Sequence, residues 1–299
     1  MLQIEKKIEF KPVTLLDKQL FDEFYKSNDK INSVNDFATI FCWNVTGNTK
    51  YALIDNDVLI ISTIYMGKKA YYFPISKSKR SLRPYIEMIL DIEDYNGHFI
   101  AHIEKEDLDG LQDIKGYKLI YDRDYSDYIY LSKDLIELKG KQFHGKKNHL
   151  NKFVGSYKYI FRDYQSKDFE QCIELYDLWL KNSGTEKTLE REAIIRALQN
   201  IEYLGLKCGV IEIDGRIRAF SVISILPNKK AGNVLFEKAD IQYEGIFAAI
   251  NNFCAKEYLK DVVYVNRQED MGIEGLRKSK LSYHPVFLLN KYRLICDTD

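Results

Sequence analysis

An Asp-Gly dipeptide between two long alternating runs constrains this chain more than any other feature. Residues 208–213 (CGVIEI) and 216–226 (RIRAFSVISIL) flank Asp214-Gly215. Alternation places every second side chain on one face of a pleated strand, and Asp-Gly suits the positive φ angles of a two-residue hairpin turn. A third strand follows at about 232–238. Next comes a helix over about 244–259, with Ile246, Phe247, Ile250, Phe253, Cys254 and Tyr258 at helical spacing. The strand VVYVN (262–266), a short helix near 273–280 and an extended run from Tyr283 to Cys296 close the chain.

The first half repeats this order. YALI, Asp55-Asn56 and DVLIISTIY read as a hairpin, and AYYFP (70–74) as a third strand. A helix near 82–92 carries Pro84 in its first turn, where proline is tolerated. HFIAHI (98–103) reads as a strand, 104–111 as short and helical, and 117–121 and 127–131 as extended. Helices precede each hairpin, at 17–26 and 33–42 in the first half and at 167–181 and 189–201 in the second. Thr14 and Asp17 have the spacing of a capping box. The doubled order resembles the GNAT acyltransferase fold, so the expected class is α+β with two tandem GNAT-like domains, each a mixed sheet flanked by helices. The expected boundaries are 1–131, a charged helical connector at 132–157, and 158–299.

Composition narrows the function classes. Of 299 residues, 45% are hydrophobic and 29% charged, which excludes a disordered chain. Lys plus Arg equals Asp plus Glu at 44 each, which argues against a general nucleic-acid coat but leaves local patches open. The longest apolar stretch, Val58–Met66, has strand length, and the first ten residues carry no signal-peptide pattern. Five dispersed cysteines, none in a CxxC pair, fit free thiols in the cytoplasm.

In a GNAT-like sheet two neighbouring parallel strands splay apart after the third strand, and the acyl donor enters that gap. Backbone N–H groups at the next helix start meet its phosphates. Here that place is 236–247. Gln242-Tyr243-Glu244-Gly245 matches the start of an acetyl-CoA loop, and Phe247 breaks its end. Acyl transfer needs a base, an oxyanion donor and an acid. Glu237 is the first candidate base, with Lys238, Asp240, Tyr243 and Gly245 beside it; the structural alternative is a surface ion pair of Glu237 with Lys238. Tyr243 is a candidate acid. A denser polar cluster follows the fourth strand, including Asn266, Arg267, Glu269, Arg277, Lys280 and Tyr283. The connector segment 139–152 holds five lysines and two histidines with no acid, and its Lys146, Lys147 and Asn148 read as anion-facing. Lys77, Lys79, Arg80 and Arg83 form a smaller basic group at the first-half helix start. His98 and His102 share a strand face without a third ligand, so no metal site is expected.

Three segments carry a family resemblance: LKGKQFHGKKNHLNKF (138–153), FEKAD…G (236–245) and NRQEDMGIEGLRKSKLSYHP (266–285). They resemble bacterial tandem GNAT-fold proteins akin to the C-terminal domain of phosphatidylglycerol lysyltransferase. In the family's C-terminal motif, Gly-Leu-Arg-x-x-Lys-x-x-x-x-Pro, the matching positions are Gly275, Leu276, Arg277, Lys280 and Pro285. The resemblance implies transfer of an aminoacyl group from charged tRNA to the glycerol hydroxyl of phosphatidylglycerol. It places the family's acidic residue on Glu237 and also implies an arginine nearby, where this segment offers Lys238 and Asp240.

The expected function is an acyl- or aminoacyltransferase with no tightly bound cofactor. Acyl-CoA or aminoacyl-tRNA is the donor, and a small molecule or lipid headgroup the acceptor. Glu237 acts as base or positions the nucleophile. Lys280 and Arg277 bind the donor's phosphate or stabilise the oxyanion. Asn266, Arg267 and Glu269 hold the acceptor, and the basic connector holds tRNA. The first domain is degenerate, because its third strand ends in Phe73-Pro74. Two alternatives stay open: a non-catalytic binder of a small anion, and an RNA-binding module.

Overall fold

The computed structural model describes residues 8–65, 67–91, 99–183 and 189–297, so His98 and Met66 lie outside the described residues. The chain forms a mixed α/β structure with two mixed sheets, and it divides into two units, neither of them a continuous half. The first comprises 1–28, 46–123 and 290–299; the second comprises 29–45 and 124–289.

The first unit is built on the sheet order Lys11–Pro12, Lys50–Ile54, Val58–Tyr65, Lys68–Tyr72, Phe99–Glu104, Lys291–Cys296 and Tyr117–Tyr121. Among the described residues, only Lys68–Tyr72 and Phe99–Glu104 run parallel. The expected hairpin turn is present, with Asp55 and Asn56 at φ 50° and 54°. Thr14 donates its backbone N–H to Asp17 Oδ2 at 2.7 Å, one half of the expected box. The helix Arg83–Asp91 buries Tyr85, Ile86, Ile89 and Leu90, spaced to lie on one face.

The second unit has the order Phe287–Leu289, Asp127–Leu131, Tyr264–Asn266, Ala231–Ala239, Arg216–Ile225, Lys207–Ile213 and Ile160–Asp163. Its one parallel pair among the described residues is Ala231–Ala239 with Tyr264–Asn266. The helix Ile246–Tyr258 packs on this sheet through Ile246, Ala249, Ile250 and Cys254, an i, i+3, i+4, i+8 stripe.

The units differ from the expected boundaries at three places. Residues 127–131 were expected to finish the first unit, but they pair with Tyr264–Asn266 and Phe287–Leu289 in the second sheet. The final run from Tyr283 is divided. Phe287–Leu289 stays in the second sheet, while Lys291–Cys296 inserts between Phe99–Glu104 and Tyr117–Tyr121 in the first. The helix Phe37–Trp43 belongs to the second unit, and a buried polar network explains why. Asp36 accepts from Ala38 N at 3.1 Å, Thr39 at 3.0 Å, Ser224 at 3.0 Å and Asn233 at 3.2 Å. Burying that carboxylate without all four donors would be costly. The connector is two helices, Ser132–Glu137 and His144–Ser156, broken where Leu138 and Gly140 take φ 46° and 103°.

Candidate active site

Glu237 owes its position to one extra residue. The strands Arg216–Ile225 and Ala231–Ala239 pair Ile223 with Val234 but Val222 with Phe236, which leaves Leu235 as a β-bulge. Before the bulge, Asn233 faces Asp36 and Thr39 while Val234 packs with the helix Ile246–Tyr258. After it, Phe236 lies against Trp43 and Glu237 reaches Asn251 on that helix. Strict alternation from Asn233 would return Glu237 to the face of Phe37–Trp43. Lys238, next along, points away from Glu237, its Nζ 2.9 Å from Glu190 and 3.7 Å from the Trp179 ring centre. The expected surface pair of Glu237 with Lys238 is therefore replaced by two separate partnerships.

The partner of Glu237 comes from the neighbouring strand. Parallel pairing stops at Asn233–Asn266, after which the longer strand continues to Ala239 paired only on its other side, with Arg216–Ile225. Arg267 turns into the gap and donates Nη2 to Glu237 Oε1 at 2.9 Å, while Asn251 Nδ2 donates to Oε2 at 3.2 Å. Both charged side chains are 11% exposed. The arginine that the resemblance implies near the acidic residue is thus supplied from position 267. The guanidinium lies 4.7 Å from the Tyr283 ring centre and 5.7 Å from that of Tyr130. Lys146 places its Nζ 4.1 Å over the same Tyr283 ring.

The electrostatics follow from burial. Burial disfavours the Arg267 cation, but Glu237 and the two phenols more than offset this and hold its pKa above the ordinary value. Lys146 is pushed down to about 8, first by burial and then by the Arg267 charge, with Glu237 opposing. Burial raises the Tyr283 and Tyr130 phenols. Among the buried polar atoms of the described residues that have no hydrogen-bond partner, two lie at this pair: Arg267 Nη1 and Asn251 Oδ1. Each such atom costs about 1–3 kcal/mol unless a water or a ligand meets it.

Other expected site residues hold this arrangement rather than face it. The three N–H groups of the Lys280 ammonium go to the carbonyls of Arg267, Gln268 and Glu269, at 2.5, 3.1 and 2.5 Å. That leaves Lys280 no donor for a phosphate or an oxyanion; it clamps a turn in which Gln268 takes φ 58°. Arg277 binds both oxygens of buried Asp270 at 2.9 Å and Asp124 at 2.6 Å. Asn266 is fully buried, donating to Ile31 O at 2.9 Å and Asp127 at 2.8 Å and accepting from Gln268 N at 2.7 Å. Glu269 is half-buried beside this turn. Lys280, Arg277 and Asn266, read from the sequence as ligand contacts, thus have their polar atoms engaged within the protein.

The helix start at 240–246 is also occupied. Asp240 pairs with Arg218 at 3.3 Å and accepts from Gln242 N at 3.1 Å. Tyr243 packs on Tyr157, ring centres 5.2 Å apart, and not on Glu237. Gly245 has φ 85°, and a Cβ there would lie 2.1 Å from the His149 carbonyl oxygen. That carbonyl belongs to the helix His144–Ser156, and Ile246 N, which a phosphate cradle would need open, donates to Tyr243 O at 3.1 Å. Glu244 N is also taken, by the Tyr157 hydroxyl at 3.2 Å. Lys147 and Asn148 are exposed on the same helix as Lys146. Sequence reading missed Asn251 and Tyr130. The trace of Asn251 in the sequence is the Asn251-Asn252 pair inside the otherwise apolar stretch 246–255.

A family model described as phosphatidylglycerol lysyltransferase, C-terminal, matches residues 26–295. A conserved protein of Bacteroides thetaiotaomicron is 33% identical, with 97% of this chain and 100% of that one covered and a TM-score of 0.89. The C-terminal domain of a protein described as a lysylphosphatidylglycerol synthetase, from Agrobacterium fabrum, is 13% identical over 94% of this chain and 91% of its own, with a TM-score of 0.68. That likeness shows a shared fold. An uncharacterised protein of Mycoplasmoides gallisepticum is 27% identical over 180 residues, spanning 57% of this chain and 57% of that protein's length.

Proposed function

Because the chain belongs to the family of the phosphatidylglycerol lysyltransferase C-terminal domain, we propose that it moves an aminoacyl group from charged tRNA to the hydroxyl of a lipid headgroup. The buried Glu237–Arg267 pair, with Arg267 Nη1 unpartnered beside it, carries this reading. An N–H fixed in a water-poor niche before any ligand arrives stabilises a developing oxyanion without having to reorganise. Arg267 Nη1 is that donor, and Glu237, held from two sides, orients the acceptor. Lys280, Arg277 and Asn266 are positioning residues. Each sheet with its helices reads as GNAT-like, each having one parallel pair, and the second unit carries the site.

The donor is an aminoacyl ester of tRNA rather than acyl-CoA, because Phe247 breaks the acetyl-CoA loop pattern and the N–H groups of Glu244 and Ile246 are taken by the Tyr157 hydroxyl and the Tyr243 carbonyl. Lys139, Lys141, Lys147 and Lys152 are exposed on the connector and suit a polyanion. The test is transfer of a radiolabelled aminoacyl group from a panel of charged tRNAs into phosphatidylglycerol vesicles, with labelled acyl-CoA in parallel. Label in the lipid fraction from tRNA is expected. Label from acyl-CoA alone, or tRNA binding without transfer from any charged species, would overturn the proposal.

A further inference from the structure

We infer that Lys146 is the group that takes the proton from the attacking acceptor and returns it to the leaving group. This rests on the transferase reading above. Glu237, the obvious base, has both oxygens engaged, by Arg267 and by Asn251. Accepting a proton there would break the ion pair that holds Arg267. Lys146 is placed differently. Among the described residues its Nζ makes no hydrogen bond or ion pair; its one polar contact is the Tyr283 ring face, 4.1 Å away. The Arg267 guanidinium lies against that ring as well, at 4.7 Å. The amine therefore sits one ring away from the unpartnered Nη1 where the oxyanion forms. The charged and titratable groups that face it are Arg267 and Glu237, with the Tyr283 phenol. Burial and Arg267 together bring its pKa to about 8, so a sizeable fraction is neutral at physiological pH.

The step balances without a further reactant. The acceptor oxygen attacks the ester carbonyl carbon as its proton moves to the Lys146 lone pair. The carbonyl oxygen becomes an oxyanion beside Arg267 Nη1. On collapse the bond from the acyl carbon to the tRNA ribose oxygen breaks, and that oxygen takes the proton back from the Lys146 ammonium. One ester is exchanged for another, and Lys146 ends neutral.

Lys146→Arg separates this role from simple anion binding, because arginine keeps the charge but does not release a proton near pH 8. Single-turnover transfer by the wild type should rise with pH to a plateau with a midpoint near 8. In the arginine variant KM for charged tRNA should stay within about threefold, while the rate falls roughly 10²-fold or more and the rise near pH 8 disappears. Added primary amines should partly rescue Lys146→Ala, whose fold is checked by circular dichroism. An arginine variant with wild-type rate and pH profile would overturn the inference and leave the transferase reading intact. A wild type that transfers from no charged tRNA would take both down.

Discussion

Removing the Arg267 charge should destabilise the second unit, and removing Glu237 with it should restore much of the loss. At 2.9 Å and an effective dielectric constant of about 20, the pair attracts by about 6 kcal/mol. Desolvation of two side chains that are each 11% exposed opposes that, at several kcal/mol per ion. Intact, the pair is nearly balanced; broken, it strands a charge. Arg267→Met should therefore cost about 3–5 kcal/mol, Glu237→Gln, which strands the arginine, at least about 1 kcal/mol, and the two together about 1–2 kcal/mol, giving a coupling of at least about 2 kcal/mol. Urea unfolding followed by tryptophan fluorescence reads the relevant unit directly. The two tryptophans, Trp43 and Trp179, both lie in the second unit. A coupling below about 0.5 kcal/mol would mean instead that the two charges are solvated independently.

Two further outcomes follow from the same geometry. Gly245→Ala should destabilise by about 2 kcal/mol or more, since it combines a positive φ with a Cβ 2.1 Å from the His149 carbonyl; unchanged urea stability would mean the helices separate there at little cost. Asp36 gives a pH dependence: burial raises its folded pKa despite four donors, so the folded state favours the protonated acid. Stability relative to Asp36→Asn should fall as pH rises above the unfolded value of about 4. Urea midpoints compared at pH 4 and pH 7 check it, and a difference that grows in favour of the wild type with pH would contradict the sign.

Much of this architecture was legible because local signals carry it. The Asp214-Gly215 turn takes φ 51° and 73° as its residue types predict, and the stripe on Ile246–Tyr258 faces the sheet. What periodicity could not give is the identity of a strand's partner. Residues 127–131 and 291–296 alternate equally well in either sheet, so the exchange between units left no mark in the pattern. The Leu235 bulge was invisible for a related reason: it lies inside an apolar run, where a one-residue shift changes no residue class. Glu237, Arg267, Lys146 and Tyr283 were each singled out from the sequence, and the fold brings them together. Lys280 and Arg277 were singled out on equally good grounds, yet their partners are backbone carbonyls and an aspartate several residues back, which only the folded turn defines.

The proposed transfer is carried by the niche between Glu237 and Arg267. The most direct measurement compares single-turnover aminoacyl transfer by the wild type, Glu237→Gln and Lys238→Met. Neighbours in sequence, the two residues face opposite sides of the sheet. The account predicts transfer lost in Glu237→Gln by roughly 10²-fold or more, with Lys238→Met within about threefold of wild type. Equal losses in both, or full activity in Glu237→Gln, would contradict it.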